Sequence, residues 1–151
     1  MCLKMARSRC IAGVLIASVL GMASWEAHAD DQYVQAAKSL SARHFDRTLS
    51  DQPIEKWVHA NLPTGYEAIW GSHITDCGES TGSPVDKERD IPLCAEVELR
   101  KGHEIKGYLT LLIGTQKRGL VQEGAGLYFG YLEHRGRKYE FRRLSDLLHV
   151  E

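Results

Sequence analysis

No stretch of this sequence is long and apolar enough to cross a bilayer as a helix. The longest apolar run, residues 11–22, falls well short of the roughly 20 residues that a membrane-spanning helix needs. Neither sign of charge is in surplus: 19 Lys and Arg stand against 20 Asp and Glu, which argues against a chain whose main business is coating nucleic acid or an anionic membrane. Cysteine is scarce, with four residues and no C-x-x-C pair. The seven histidines include no HExxH arrangement, so no motif-defined metal site or redox dithiol is implied and no cofactor is expected. There is no internal repeat and no low-complexity linker, which leaves a single domain.

What is present begins with an export signature. Lys4, Arg7 and Arg9 precede the short apolar run, and Ala27-His28-Ala29 follows it with the small-x-small form that signal peptidases cut. This pattern predicts a cleaved secretory signal over residues 1–29, a periplasmic or secreted location, and one domain over 30–151. Neither Cys2 nor Cys10 follows the apolar run, where a lipid-bearing cysteine would sit. Removing Lys4, Arg7, Arg9 and Glu26 from the totals leaves 16 basic against 19 acidic residues, a net charge near −3. Cys77 and Cys94 are the two cysteines that remain, and an even count in an exported chain predicts one disulfide.

The hydrophobic period changes once along the chain. From Asp30 to Leu49, Val34, Ala37, Leu40, Ser41 and Phe45 recur at near-helical spacing behind Asp30 and Asp31. A second helix is predicted with Ser50 or Asp51 as its cap, Pro53 in its first turn and Ile54, Trp57, Val58 and Leu62 on one stripe. Pro63 and Gly65 end it. From Tyr66 the alternation is that of strands, over Tyr66 to Thr75, Ala95 to Arg100, Ile105 to Ile113 and Leu127 to Leu132, with a last strand around Tyr139 and Phe141. Lys101-Gly102 and the His134 to Arg137 stretch supply turns. Leu111-Leu112-Ile113 has no polar side, which predicts a central strand. Ser145 and Asp146 are positioned to cap a last turn that docks Leu147 and Leu148. The fold class expected is α+β: two N-terminal helices packed on one face of an antiparallel sheet of about five strands, with one disulfide.

The functional candidate is the stretch CGESTGSPVDKERDIPLC from Cys77 to Cys94. Paired cysteines would make it a closed polar loop, longer than a compact domain needs for connection, and long loops are disproportionately functional. Glu79, Ser80 and Thr81 belong to a half rich in small residues that lets a partner's backbone come close. Asp86, Lys87, Glu88, Arg89 and Asp90 form a charged half that supplies register, and Asp76 stands at the entrance. Asp86, Glu88 and Asp90 at alternate positions suit a cation, but Lys87 and Arg89 interleave and a calcium loop's sharp-turn glycine and bidentate acid are not evident, so no metal is expected. Gly78-Glu79-Ser80-Thr81-Gly82 matches the G-x-S-x-G pattern of a nucleophile elbow. The residues after it, with Pro84 and a charge run, do not read as the helix that such a serine needs.

Two further groups have a functional and a plain reading. His73, with Asp76, Glu79 and Arg89, has the parts for acid–base chemistry in a small hydrolase or ribonuclease, though such residues co-occur in most exposed loops. Arg135, Arg137, Lys138, Arg142 and Arg143 make the last hairpin basic around Tyr139 and Phe141. Alternation puts the two aromatics on the core side, and a charged edge strand discourages sheet-to-sheet pairing. The reading that follows is an exported binding protein without cofactor, of the architecture shared by periplasmic inhibitors and immunity proteins. It would act through the closed loop on a protein partner in the envelope, with no nucleic acid and no stable membrane anchor. The alternatives are the hydrolase built on His73 and an envelope assembly factor that uses a sheet edge.

Overall fold

A computed structural model describes residues 31–77, 91–116, 119–120 and 124–151. The expected signal segment 1–29 lies outside the described residues. In chain order there are a helix over 31–39 (α1), α2 (Ala42–Phe45), α3 (Ile54–Asn61) and β1 (Tyr66–Thr75). Then come β2 (Pro92–Lys101), β3 (Glu104–Thr115), β4 (Gly119–Leu120), β5 (Gly126–His134), β6 (Arg137–Phe141) and a 3-10 helix, Leu144–His149. The long strands form one antiparallel sheet in the order β1-β2-β3-β5-β6, and the two-residue β4 pairs with β3. Among the described residues no helix is long and apolar enough to cross a membrane.

Alternation builds the core. Ala95, Val97 and Leu99 of β2 and Leu109, Leu111 and Ile113 of β3 are buried, while Glu96 is exposed and Glu98, Tyr108 and Thr110 are half-exposed between them. These residues share one hydrophobic cluster with Ala37, Ala42, Phe45, Ile54, Trp57 and Val58 from the helical segments and with Leu132, Phe141, Leu144 and Leu147. β3 is central, between β2 and β5, as its all-apolar end requires.

The N-terminal segment is not one helix from Asp30 to Leu49. It breaks at Leu40 and Ser41, because neighbouring groups capture the backbone there. Ser41 is extended (φ −62°, ψ 135°) and its Oγ accepts from Arg43 N as the cap of α2. Leu40 O accepts from Ile54 N at 2.7 Å, and Ala42 N donates to Gln52 O at 2.9 Å. A serine that can bond its own backbone favours caps over helix interiors. The cap of α3 is Pro53, not Ser50 or Asp51, and the Asp51 carboxylate is instead 3.2 Å from the Arg43 guanidinium. At the C-terminus Leu147 docks, but Leu148 remains 52% exposed.

Register shifts shape the sheet. Thr110 faces Phe129 while Leu111 faces Leu127, so Tyr128 is an extra residue on β5. Such a bulge lets two consecutive side chains reach solvent, and Tyr128 and Phe129 are each 49% exposed. At the other end of the sheet the Tyr66 hydroxyl donates to the Glu133 carbonyl at 2.9 Å. In a flat sheet β1 and β5 would be about 14 Å apart, three strand spacings, beyond a tyrosine's reach, so the sheet curls there. Gly107 lies within this curl, and a Cβ at that position would overlap the Tyr131 carbonyl and the Leu132 backbone.

One hydrogen-bonded carboxylate ties the ends of the domain together. Asp46, just after α2, accepts from Thr48 N (3.0 Å), Thr48 Oγ1 (2.7 Å) and Ser145 N (3.1 Å). Burial alone would push its pKa up, but the bonds from Ser145 and Thr48 outweigh it and hold the carboxyl at about 2 against an ordinary 3.8. A depressed folded-state pKa contributes stability that is fully present above pH 4 and is lost as pH falls from about 4 towards 2. Asp46→Asn should therefore lower the unfolding free energy at pH 7 by about 2 kcal/mol, and urea midpoints of variant and parent should converge below pH 2. Gly107→Ala should cost about 3 kcal/mol or more, because backbone must shift to admit the methyl; a urea melt within about 0.5 kcal/mol of the parent would contradict the close approach.

Candidate functional site

Cys77 follows β1 and Cys94 lies within β2, where it pairs with Thr75 across the ladder. Their sulfurs are 2.00 Å apart and their Cα atoms 4.9 Å apart, closing a link over 17 positions of sequence. Both cysteines are buried. Cys77 adopts φ 60°, the left-handed region, which turns the chain sharply off the end of β1. The returning side is held as well, since Gln116 N donates to Ile91 O at 2.8 Å. Both roots of the cysteine loop are thus fixed to the sheet.

Of the residues expected to form the recognition surface, Asp76 is half-buried and already engaged. Glu79, Ser80, Thr81, Asp86, Lys87, Glu88, Arg89 and Asp90 lie outside the described residues. His73 is exposed, with its Nδ1 3.4 Å from the adjacent Ser72 Oγ. No carboxylate hydrogen bond to His73 occurs among the described residues. Also among the described residues, no group of three His, Cys, Asp or Glu is placed to hold a metal ion.

The opposite end of the sheet carries a constellation that a reading along the sequence does not assemble. The Lys101–Gly102–His103 turn of the β2–β3 hairpin and the Arg135–Gly136 turn of the β5–β6 hairpin lie at the same end. Between them is a cavity of about 420 Å³ whose wall includes Tyr66, Lys101, Lys106, Arg135 and Arg137. The Tyr66 hydroxyl spends its proton on the Glu133 carbonyl, so its 3.1 Å contact with His134 Nδ1 requires the imidazole to donate. Tyr66 and His134 also meet edge to face at 5.4 Å. The His134 pKa is lowered by burial, then by the positive charges of Arg135 and Lys101. The clue available beforehand was topological, because alternate turns of a hairpin meander fall at the same end.

The sheet face away from the hydrophobic cluster carries a row of aromatics. Tyr108 and Tyr131 pair across β3 and β5 with ring centres 6.0 Å apart, Phe129 lies 5.9 Å from Tyr131, and Lys138 sits over the Tyr131 ring at 4.7 Å. Ion pairs between residues two apart on a strand, Glu98 with Arg100, Glu104 with Lys106 and Lys138 with Glu140, surround them. Exposed pairs of this kind contribute little stability each.

The chain matches no protein-family model, no curated protein and no solved structure. Its own geometry is therefore what the functional argument rests on.

Reducing the disulfide, or replacing Cys77 and Cys94 by Ala, should lower stability by about 3 kcal/mol in the chain-entropy model, for a closed loop of this length. Urea unfolding with and without dithiothreitol measures the difference. Equal midpoints would show that the link adds nothing to the fold.

Proposed function

We propose that the protein is an exported, cofactor-free binding protein that presents the disulfide-closed segment 77–94 to a protein partner in the cell envelope, as an inhibitor or immunity protein acting on an envelope enzyme. The observation that carries this reading is the Cys77–Cys94 bond at the end of the sheet. A loop with both roots fixed loses less conformational freedom on docking, so more of its contact energy appears as affinity. The sequence of the loop suits that use, with small residues around Ser80 and Thr81 for close approach and Asp86, Lys87, Glu88, Arg89 and Asp90 for charge register. In this reading the two N-terminal helical segments cover one face of the sheet and leave its end free for a partner. A periplasmic or secreted location accords with a disulfide, which persists in oxidising compartments.

The test uses oxidised protein recovered by expressing the full chain. Capture from envelope extract should retain a specific partner that is lost when Cys77–Cys94 is reduced. Changing Asp86, Glu88 and Asp90 together to Ala should weaken that partner's binding about tenfold or more in a calorimetric titration, with the thermal midpoint nearly unchanged. Unaltered affinity in the triple variant removes the loop from the proposal.

A further inference from the structure

The end of the sheet opposite the disulfide carries a local concentration of positive charge. Five cationic side chains, Lys101, Lys106, Arg135, Arg137 and Lys138, line the 420 Å³ cavity against a single carboxylate, Glu133. Lys106 is paired with Glu104, and Lys138 lies 3.5 Å from Glu140. Among the described residues, Lys101, Arg135 and Arg137 have no carboxylate within ion-pair distance. The whole chain has a formal charge of −1, so this concentration of positive charge is local. Like charges held around one cavity repel each other, although Lys101 also lies over the Tyr66 ring at 5.5 Å.

Arg135 adds an independent observation. The β5–β6 hairpin turns on two residues, Arg135 at φ 50° and Gly136 at φ 76°. Two consecutive left-handed residues define the type I′ turn, whose first position ordinarily belongs to Asn, Asp or Gly because other side chains are crowded there. An arginine at that position gives up turn stability and sets a guanidinium on the lip of the cavity. A locally unfavourable residue kept in a strained conformation points towards function. The neighbouring His134 senses the resulting field, its pKa lowered by burial and by Arg135 and Lys101.

We propose that this cavity binds a phosphate monoester, with the guanidinium groups of Arg135 and Arg137 and the ammonium of Lys101 gripping its oxygens. The planar forks of arginine suit phosphate oxygens, and lysine adds a point charge. A carboxylate ligand has two oxygens and one charge, too few for three cations that have no carboxylate partner among the described residues. A phosphate monoester near neutral pH approaches two negative charges over three terminal oxygens. The cavity is also within the size range of small-molecule sites, which leaves room for part of the group that carries the phosphate. That carrier is either a soluble molecule or a lipid whose headgroup enters from a membrane surface.

The experiment uses oxidised protein from full-chain expression at 150 mM NaCl, with two probes. Glycerol 3-phosphate is followed by amide chemical shifts, and vesicles of phosphatidylcholine with and without phosphatidic acid are followed by flotation. Saturable shifts confined to residues 101–106 and 134–138 assign a soluble ester, and flotation only with phosphatidic acid assigns the headgroup; either supports the site. Arg137→Ala and Arg135→Asn should each weaken binding at least about fivefold, as expected for loss of a charge-assisted hydrogen bond. Arg135→Asn should also raise the thermal midpoint by about 2–4 °C, since Asn suits the left-handed turn position, so its weaker binding cannot come from a damaged fold. Absence of both saturable shifts and flotation, or binding by Arg135→Asn equal to that of the parent, overturns the proposal.

Discussion

One-sided burial is the constraint on which everything else in this domain depends. β2 and β3 each place every second side chain in a dry cluster, and that cluster is completed by α1, α2 and α3 and by the C-terminal 3-10 helix. Buried side chains are worth roughly 1.5–3 kcal/mol each, so the shared cluster is the main source of the fold's stability. The opposite sheet face is left to charged pairs and to the Tyr108, Phe129 and Tyr131 row. On the sheet itself, the surface open to a partner is then that wet face and the two ends of the strands.

The meander sorts its connections between those two ends. The β1–β2 and β3–β5 connections belong to one end, where the disulfide and the Gln116–Ile91 bond tie them to the sheet. The β2–β3 and β5–β6 turns belong to the other, which is short-looped, basic and curled around Tyr66. The two ends differ in composition because they differ in chain length. A long connection can carry many polar side chains, whereas a two-residue turn can add only what its own positions and the adjoining strand ends supply.

Much of the fold was legible in the sequence because strand alternation and turn residues are local signals. Tyr66 to Thr75 and the all-apolar end of β3 stand where their patterns indicated, and the turn expected at Lys101-Gly102 falls one residue later, on Gly102 and His103. The helical break at Ser41 was not legible, because it depends on Gln52 and Ile54, more than ten residues further on, as bonding partners. Nor was the exposure of both Tyr128 and Phe129, since a one-residue bulge on β5 cancels the alternation that a strand pattern assumes. At the site level, the pairing of Cys77 with Cys94 followed from counting. The basic cavity did not, because Tyr66, Lys101 and Arg135 come from three separate parts of the chain and meet only once the sheet curls.

The Asp46–Ser145 hydrogen bond spans 99 positions of sequence, and this sets an order on how the chain can mature. Residues 144–151 supply Leu144 and Leu147 to the central cluster and, from Ser145 N, a donor to the Asp46 carboxylate. A polypeptide made N-terminus first can form α2 early, but it cannot complete the surroundings of that helix until residues 144–147 have been made. The packing around α2 is therefore a late event in folding, reached only once β1 to β6 have been made.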